Sequence, residues 1–347
     1  MSGQQSLADV RHYYGKVLQS NADLKTGACC PAEAMPTYLR RLLDDIHPAI
    51  TERFYGCGSP LPPALEGATV LDLGCGSGRD VYLLSRLVGE HGHVIGVDMT
   101  AEQMGVARAH RPWHAQRYGY ATSNVRFVDG YIEDLAACGI ADASVDVVVS
   151  NCVLNLSSEK ARVFAEIMRV LKPGGELYFC DVFADRRIPE ALRCDPVLLG
   201  ECLAGALYTE DFRRLMARVG CADTRTVSRS PVPLLDEAII AKIGMVGFTS
   251  ITMRAFKLNL EDRCEDFGQI ATYLGTILNH PHAFDLDDHH HFETGRPLRV
   301  CGNTFDMLAA TRYAAHFQLV GDKQNHFGLF DCVPAASSVK PLAASCC

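Results

Sequence analysis

Sulfur and one glycine-rich loop set the chemistry open to this chain. Fifteen of its 347 residues are cysteine. Four have distinctive surroundings: Cys29 in Gly27-Ala28-Cys29-Cys30, Cys57 in Phe54-Tyr55-Gly56-Cys57-Gly58, Cys152 in Ser150-Asn151-Cys152-Val153, and Cys202 in Gly200-Glu201-Cys202-Leu203. Thiolates prefer soft metals and metalloids to ions held by hard oxygen donors. The second chemical feature is the loop Asp72-Leu73-Gly74-Cys75-Gly76-Ser77-Gly78-Arg79-Asp80.

The loop follows a β-type run, Thr69-Val70-Leu71-Asp72-Leu73, and opens a helical one. Gly74, Gly76 and Gly78 let backbone approach a ligand with no Cβ in the way. Asp98 lies 20 residues past Gly78, at the end of the next strand, where a carboxylate can accept both ribose hydroxyls. The spacing is Gly-x-Gly-x-Gly, not the Gly-x-Gly-x-x-Gly of dinucleotide enzymes. Asp72 beneath the loop suits a cationic group better than a pyrophosphate. Both departures favour S-adenosylmethionine, whose methionine end carries an ammonium and a sulfonium. Ile132 and Glu133 then flank the adenine, and Asn151 sits near the methionine portion, because ligands of open α/β sheets bind beyond the carboxyl ends of the strands. For Glu133 a solvated loop charge is the plain alternative.

Cys152 ends the central strand, where the transferable methyl should lie. A buried small apolar residue is the competing explanation, since free cysteine is often buried. Cys202 lies after the core sheet and reaches Cys152 only if its segment folds back. Cys57 and Cys29 stand in loops, where packing gives little reason for cysteine. Cys75 and Cys180 read as small core residues. Cys138, Cys194, Cys221, Cys264, Cys301 and Cys332 read as packing or surface thiols, and Cys346-Cys347 as an idle pair on a mobile tail. Asp287-Asp288-His289-His290-His291 reads as a solvated loop, because consecutive histidines do not share one face of an element.

These groups need elements to hold them. Ser6 caps a helix through Val17, and a second covers about 37–46. Strands are expected at 69–73, 94–97, 125–128, 145–150 and 176–182. Helices are expected at 81–88 and 158–171, and Lys172-Pro173-Gly174-Gly175 makes a turn. This alternation implies a doubly wound parallel sheet. A helix is expected over 196–206 and another capped by Thr209. Later residues mix short strands and helices.

The net charge of −8 argues against nucleic acid, which needs a basic face. No stretch of about 18 apolar residues exists to span a membrane, and the N-terminus lacks a signal-peptide core. A reducing cytoplasm is expected, where cysteines serve as ligands or catalysts more often than as structural disulfides.

The motif set resembles the arsenite S-adenosylmethionine-dependent methyltransferases. The likeness runs from Tyr13-Tyr14-Gly15 to Gly220. It includes Tyr55-Gly56-Cys57-Gly58, the 72–80 loop, Gly96-Val97-Asp98-Met99-Thr100, Gly130-Tyr131-Ile132-Glu133, Ser150-Asn151-Cys152-Val153-Leu154-Asn155-Leu156 and Gly200-Glu201-Cys202-Leu203. The resemblance implies an α/β class I methyltransferase sheet (Rossmann-like) with an added metalloid-binding segment and a smaller α+β C-terminal domain. The expected divisions are 1–66, holding Cys29 and Cys57; 67–185, binding the cofactor; 186–235, holding Cys202; 236–333; and a tail, 334–347. It further implies that Cys152 and Cys202 hold arsenic throughout and that Cys29, or Cys30 in its place, and Cys57 join during binding and redox steps, with Cys57, Cys152 and Cys202 as the As(III) ligands. Met99 joins the cofactor contacts. Arsenite or its thiol complexes is the substrate, and thioredoxin or glutathione the reductant. Two other readings remain: a methyltransferase for an organic acceptor, and a thiol-rich metalloid-binding protein without catalysis.

Overall fold

The computed structural model describes residue 11 and residues 35–56, 58–193, 195, 198–199 and 202–331. The Ser6-capped helix, Cys29, Cys30, Cys57, Cys194, Cys332 and the tail lie outside the described residues.

Valine-rich runs form the strands that the sequence predicts. They are β1 (Thr69–Leu73), β2 (His93–Asp98), β3 (Val125–Asp129), β4 (Val145–Asn151) and β5 (Leu171–Ala184), paired in parallel in the order β3-β2-β1-β4-β5. Side chains alternate across the sheet. On one face Val70, Val94 and Val147 pack against Val81 and Leu84 of the Arg79–Val88 helix and Met104 of the Ala101–Ala109 helix. On the other, Leu71, Leu73 and Val148 meet Phe164 and Ile167 of the Lys160–Val170 helix and Phe212 and Met216 of the Thr209–Arg218 helix. Apolar cover on both faces is what a parallel sheet requires.

The far edge departs from the expected parallel order. The short β6 (Leu207–Tyr208) pairs in parallel with the end of β5, whereas β8 (Phe248–Phe256) runs antiparallel to β5 and β7 (Thr224–Pro231) antiparallel to β8. Antiparallel neighbours need no helical crossover. β7 carries Arg, Ser and Pro on its outer half, which blunts an exposed edge.

Three local expectations change. The 172–175 turn is part of β5: pairing slips from Val145–Leu171 to Val147–Glu176, so the extra residues form an irregularity within the strand. Thr209 is the first helical residue rather than the cap, because Tyr208 is held extended by its pairing with Ala184. The helix expected over 196–206 has ended by Cys202, whose φ of +61° is left-handed.

After β8 the chain forms a three-stranded antiparallel sheet, β12-β9-β13, of β9 (Gln269–Tyr273), β12 (Pro297–Val300) and β13 (Phe317–Val320), and a hairpin of β10 (Ala283–Asp285) and β11 (His291–Glu293). A buried ionic network fastens this part to the main sheet. Arg254 on β8 donates to Glu176 on β5 at 2.5 Å and to the Tyr313 hydroxyl at 2.9 Å, and Arg312 also pairs with Glu176. Among the described residues no helix is long and apolar enough to cross a membrane.

Candidate active site

The 72–80 loop is shaped by its glycines. Gly74, Gly76 and Gly78 have φ of +72°, +51° and +92°, which side-chain-bearing residues rarely adopt. A Cβ on Gly74 would also lie 2.4 Å from the Val153 methyls. Gly74 N and Cys75 N donate to Val97 O, tying the loop to the end of β2. Asp98, one residue further on, accepts from Gly76 N at 2.9 Å and from Thr100 N at 2.7 Å. Its carboxylate therefore fixes the loop as well as facing the cleft.

That cleft holds about 960 Å³ out to its open mouth, within the roughly 300–1,000 Å³ usual for small-molecule sites. Asp72, Gly74, Gly76, Asp98 and Met99 line one side, and Ile132, Glu133, Asn151 and Cys152 complete it. Gly78 caps the Arg79–Val88 helix and is not in the lining. Asp72 is 3% exposed; its pKa is pushed well up by burial and then by the charges of Asp80 and Asp98. Asp98 is likewise raised, first by burial. Two arginines, Arg53 and Arg79, stand against these carboxylates, and Arg79 is engaged: it pairs with Asp80 at 2.7 Å and stacks on the Phe54 ring at 3.1 Å. A cationic ligand end would offset this carboxylate excess, so the residues fit the ammonium and sulfonium of S-adenosylmethionine. Glu133 is no solvated loop charge: it is 7% exposed and accepts from Ser157 Oγ at 2.6 Å.

Asn151 has a more specific job than its sequence position indicates. Its Oδ1 accepts from Gly58 N at 3.1 Å, and its Nδ2 donates to Gly58 O at 2.8 Å and to Asp80 Oδ2 at 2.9 Å. Gly58, the residue after Cys57, is thus pinned to the end of β4. A Cβ on Gly56 would lie 2.6 Å from Asn151 Cγ, and one on Gly58 2.5 Å from Cys180 Sγ. These glycines allow close approach. Cys180, read as a plain core residue, lies directly beneath this loop.

Cys152 and Cys202 come together. Both are 6% exposed and share one apolar cluster. Cys202 Sγ donates to Cys152 O at 3.3 Å, while Cys152 N donates to Cys180 O at 2.8 Å. The sulfur of Cys152 differs from the thiolate expected: it is disulfide-bonded, whereas the seven other described cysteines, Cys202 among them, remain thiols. In this form Cys152 has no thiolate to offer a metalloid until it is reduced.

Sequence reasoning missed the buried polar wall behind Cys202. Lys160 Nζ donates to Asn155 O and Ser157 O, and Asp181 accepts from Asn155 N, Asn155 Nδ2 and Val182 N. Burial lowers Lys160 to about 8 and raises Asp181 to about 7. A Cβ on Gly205 would lie 1.9 Å from Asn155 O, so the Cys202 turn rests on this wall. Asp181 stands amid the apolar run 177–184, and only that position could have hinted at a buried role; Lys160, between Glu159 and Arg162, carries no such signal. The 287–291 loop is also less solvated than expected: Asp287 and His290 are buried and paired with each other, and Asp287 also pairs with Arg225.

A glycine loop after β1, an acid ending β2 and a carboxylate-lined cleft above parallel strands define an S-adenosylmethionine-dependent methyltransferase of the α/β class. Residues 65–220 match the methyltransferase domain family, and residues 268–344 match the arsenite methyltransferase C-terminal domain. The sequence is 56% identical to the arsenite methyltransferase of Aquipseudomonas alcaligenes, over 93% of each chain. It is 41% identical to the human arsenite methyltransferase, over 91% of this chain and 84% of that one. A crystal structure of an arsenic(III) S-adenosylmethionine methyltransferase from Chlamydomonas reinhardtii superposes with a TM-score of 0.83 at 49% identity, over 86% of this chain and all of that one. The chain belongs to the arsenite methyltransferase family.

Proposed function

We propose that this protein methylates trivalent arsenic held by cysteine sulfur, and that Cys152 and Cys202 are two of its ligands. The observation that carries the reading is the meeting of Cys202 with Cys152 at the cleft that fits the cofactor. S-adenosylmethionine supplies an electrophilic methyl when bound. Asp72 and Asp98 hold its cationic and ribose ends, and Ile132, Glu133 and Met99 bound the rest. Reduced Cys152 and Cys202 fix arsenic so that its lone pair faces the methyl, which is catalysis by positioning. Cys57 completes a three-sulfur set, because Asn151 anchors Gly58 beside it and packs closely on Gly56. No general base is needed, since arsenic carries no proton to lose.

The arsenic lone pair forms the bond to carbon, the carbon–sulfur electrons leave with S-adenosylhomocysteine, and arsenic becomes formally pentavalent. Two thiolates return two electrons to it and become a disulfide, with Cys29 and Cys57 the pair that the family resemblance implies. The disulfide at Cys152 supports a wider redox role for the site sulfurs. A dithiol such as thioredoxin, or glutathione, reopens the disulfide by exchange, and a reducing cytoplasm suits that step.

The test is arsenic speciation after incubation with arsenite, S-adenosylmethionine and a thiol reductant. Methylated arsenicals are expected from the wild type, and none from Cys152→Ser or Cys202→Ser. Undiminished turnover in either variant would remove that cysteine from the ligand set, and cofactor consumption without methylated arsenic would point to an organic acceptor.

A further inference from the structure

We infer that Arg312, in the C-terminal part of the chain, is a positioning residue for the Cys57 end of the site: it holds the far end of a stiff strap, 58–63, whose near end follows Cys57. The inference deepens the proposed function and rests on Cys57 as the third arsenic ligand.

The strap has no helix or strand to stiffen it. Its sequence does so instead, reading Gly58-Ser59-Pro60-Leu61-Pro62-Pro63. Proline fixes its own φ and restricts the residue before it. Every residue from Ser59 to Pro63 is therefore a proline or precedes one. Leu61 N donates to Ser59 O at 2.8 Å, a tight turn that fixes the middle. Pro60, Leu61 and Pro62 are buried, and Leu61 joins the apolar cluster of Val70 and Val81.

This strap is clamped at both ends. At Gly58 the clamp is Asn151, which accepts from Gly58 N at 3.1 Å and donates to Gly58 O at 2.8 Å. At Pro63 it is Arg312, whose Nε and Nη2 both donate to Pro63 O, at 3.3 and 3.1 Å. Nη2 also donates to the Tyr313 hydroxyl at 2.6 Å, and Nη1 pairs with the buried Glu176 on β5. A planar fork can serve three partners in one fixed orientation. Ala64, next to Pro63, has a φ of +57° and packs against the apolar cluster that holds Phe284 and Tyr313. Left-handed alanine persists only where its surroundings hold it, and here the C-terminal part supplies that hold.

A stiff segment clamped at both ends transmits position. Arg312 is not among the residues lining the cleft, yet it ties the C-terminal part to the placement of Cys57. Its effect falls on the substrate that needs the third sulfur. Arsenite has three exchangeable positions; a monomethylated arsenical has two, which Cys152 and Cys202 can fill.

The experiment compares single-turnover methylation of arsenite and of a trivalent monomethylated arsenical by the reduced full chain. Arg312→Met keeps the aliphatic stem and removes the donors. Pro62→Gly leaves the Glu176 network intact and puts a hinge between the clamps, so it decides the matter alone should Arg312→Met fail to fold. Each should lower the arsenite rate relative to the other by about tenfold, less than the roughly hundredfold that a 1 Å misplacement can cost. In the double variant the shift should be no larger than in the stronger single one, because both changes cut one connection. Circular dichroism selects the variants that fold. Equal loss on the two substrates, an unchanged ratio in either folded variant, or shifts that multiply in the double overturns the inference. A wild type that makes no methylated arsenic sinks the proposed function itself, and the same assay shows that before any variant is compared.

Discussion

Cys202 and Cys152, fifty residues apart in sequence, meet through a bond from the sulfur of one to the backbone carbonyl of the other, and both hold left-handed backbone, with φ of +61° and +57°. A side chain in that conformation costs about 1–2 kcal/mol relative to glycine. Strain of this kind gathers where structure over-determines a functional group. Here it turns both residues at the cleft.

Strain and thiol loss can be separated at Cys202. Cys202→Gly and Cys202→Ala both remove the sulfur, but only alanine keeps the strain. The glycine variant should be the more stable of the two by about 1 kcal/mol in urea unfolding, and both should lose arsenite binding. Equal stability would mean that the left-handed backbone relaxes without cost.

Asp98 serves the loop and the cleft together. Asp98→Ala removes a charged acceptor from Gly76 N and Thr100 N, each such bond being worth roughly 1.5–3 kcal/mol. Calorimetry should show S-adenosylmethionine affinity falling at least about tenfold, while arsenite binding to the reduced protein persists. Unaltered cofactor affinity would exclude Asp98 from the site.

Asn151→Ala cuts both bonds to Gly58 and the one to Asp80. The Cys57 loop loses its anchor, so methylation of arsenite should fall by about one to two orders of magnitude. Methylation of a monomethylated substrate, which needs fewer sulfurs, should fall less. Single-turnover rates on the two substrates check this; equal losses would argue for a cofactor role instead.

Asp181 ties stability to pH. Its folded pKa is about 7 and its ordinary value 3.8, so between them the folded chain holds a proton that the unfolded chain has released. Stability therefore falls as pH rises through that window, by at most roughly 1.4 kcal/mol per pH unit. Lys160, lowered to about 8, acts with the opposite sign above that pH, where the unfolded chain keeps the extra proton. Urea titrations from pH 5 to 7 should show the fall in the wild type and a flatter profile in Asp181→Asn. Identical profiles would mean that Asp181 stays ionised in the fold.

The cofactor half of this protein is legible from local pattern alone. The glycine spacing, Asp98 and the period of apolar runs are local signals, because strand, loop and helix follow one another within a few residues. Tertiary structure decided what pairs across distance. The antiparallel edge, the Glu176–Arg254 bond across 78 residues, the Asn151 clamp on Gly58 and the Lys160–Asp181 wall each join segments with no shared local pattern. The same holds for sulfur: sequence shows which cysteines have unusual neighbours, but only folding brings Cys202 onto Cys152. Thiol chemistry depends on separation and on nearby charge, and both are properties of the packed chain.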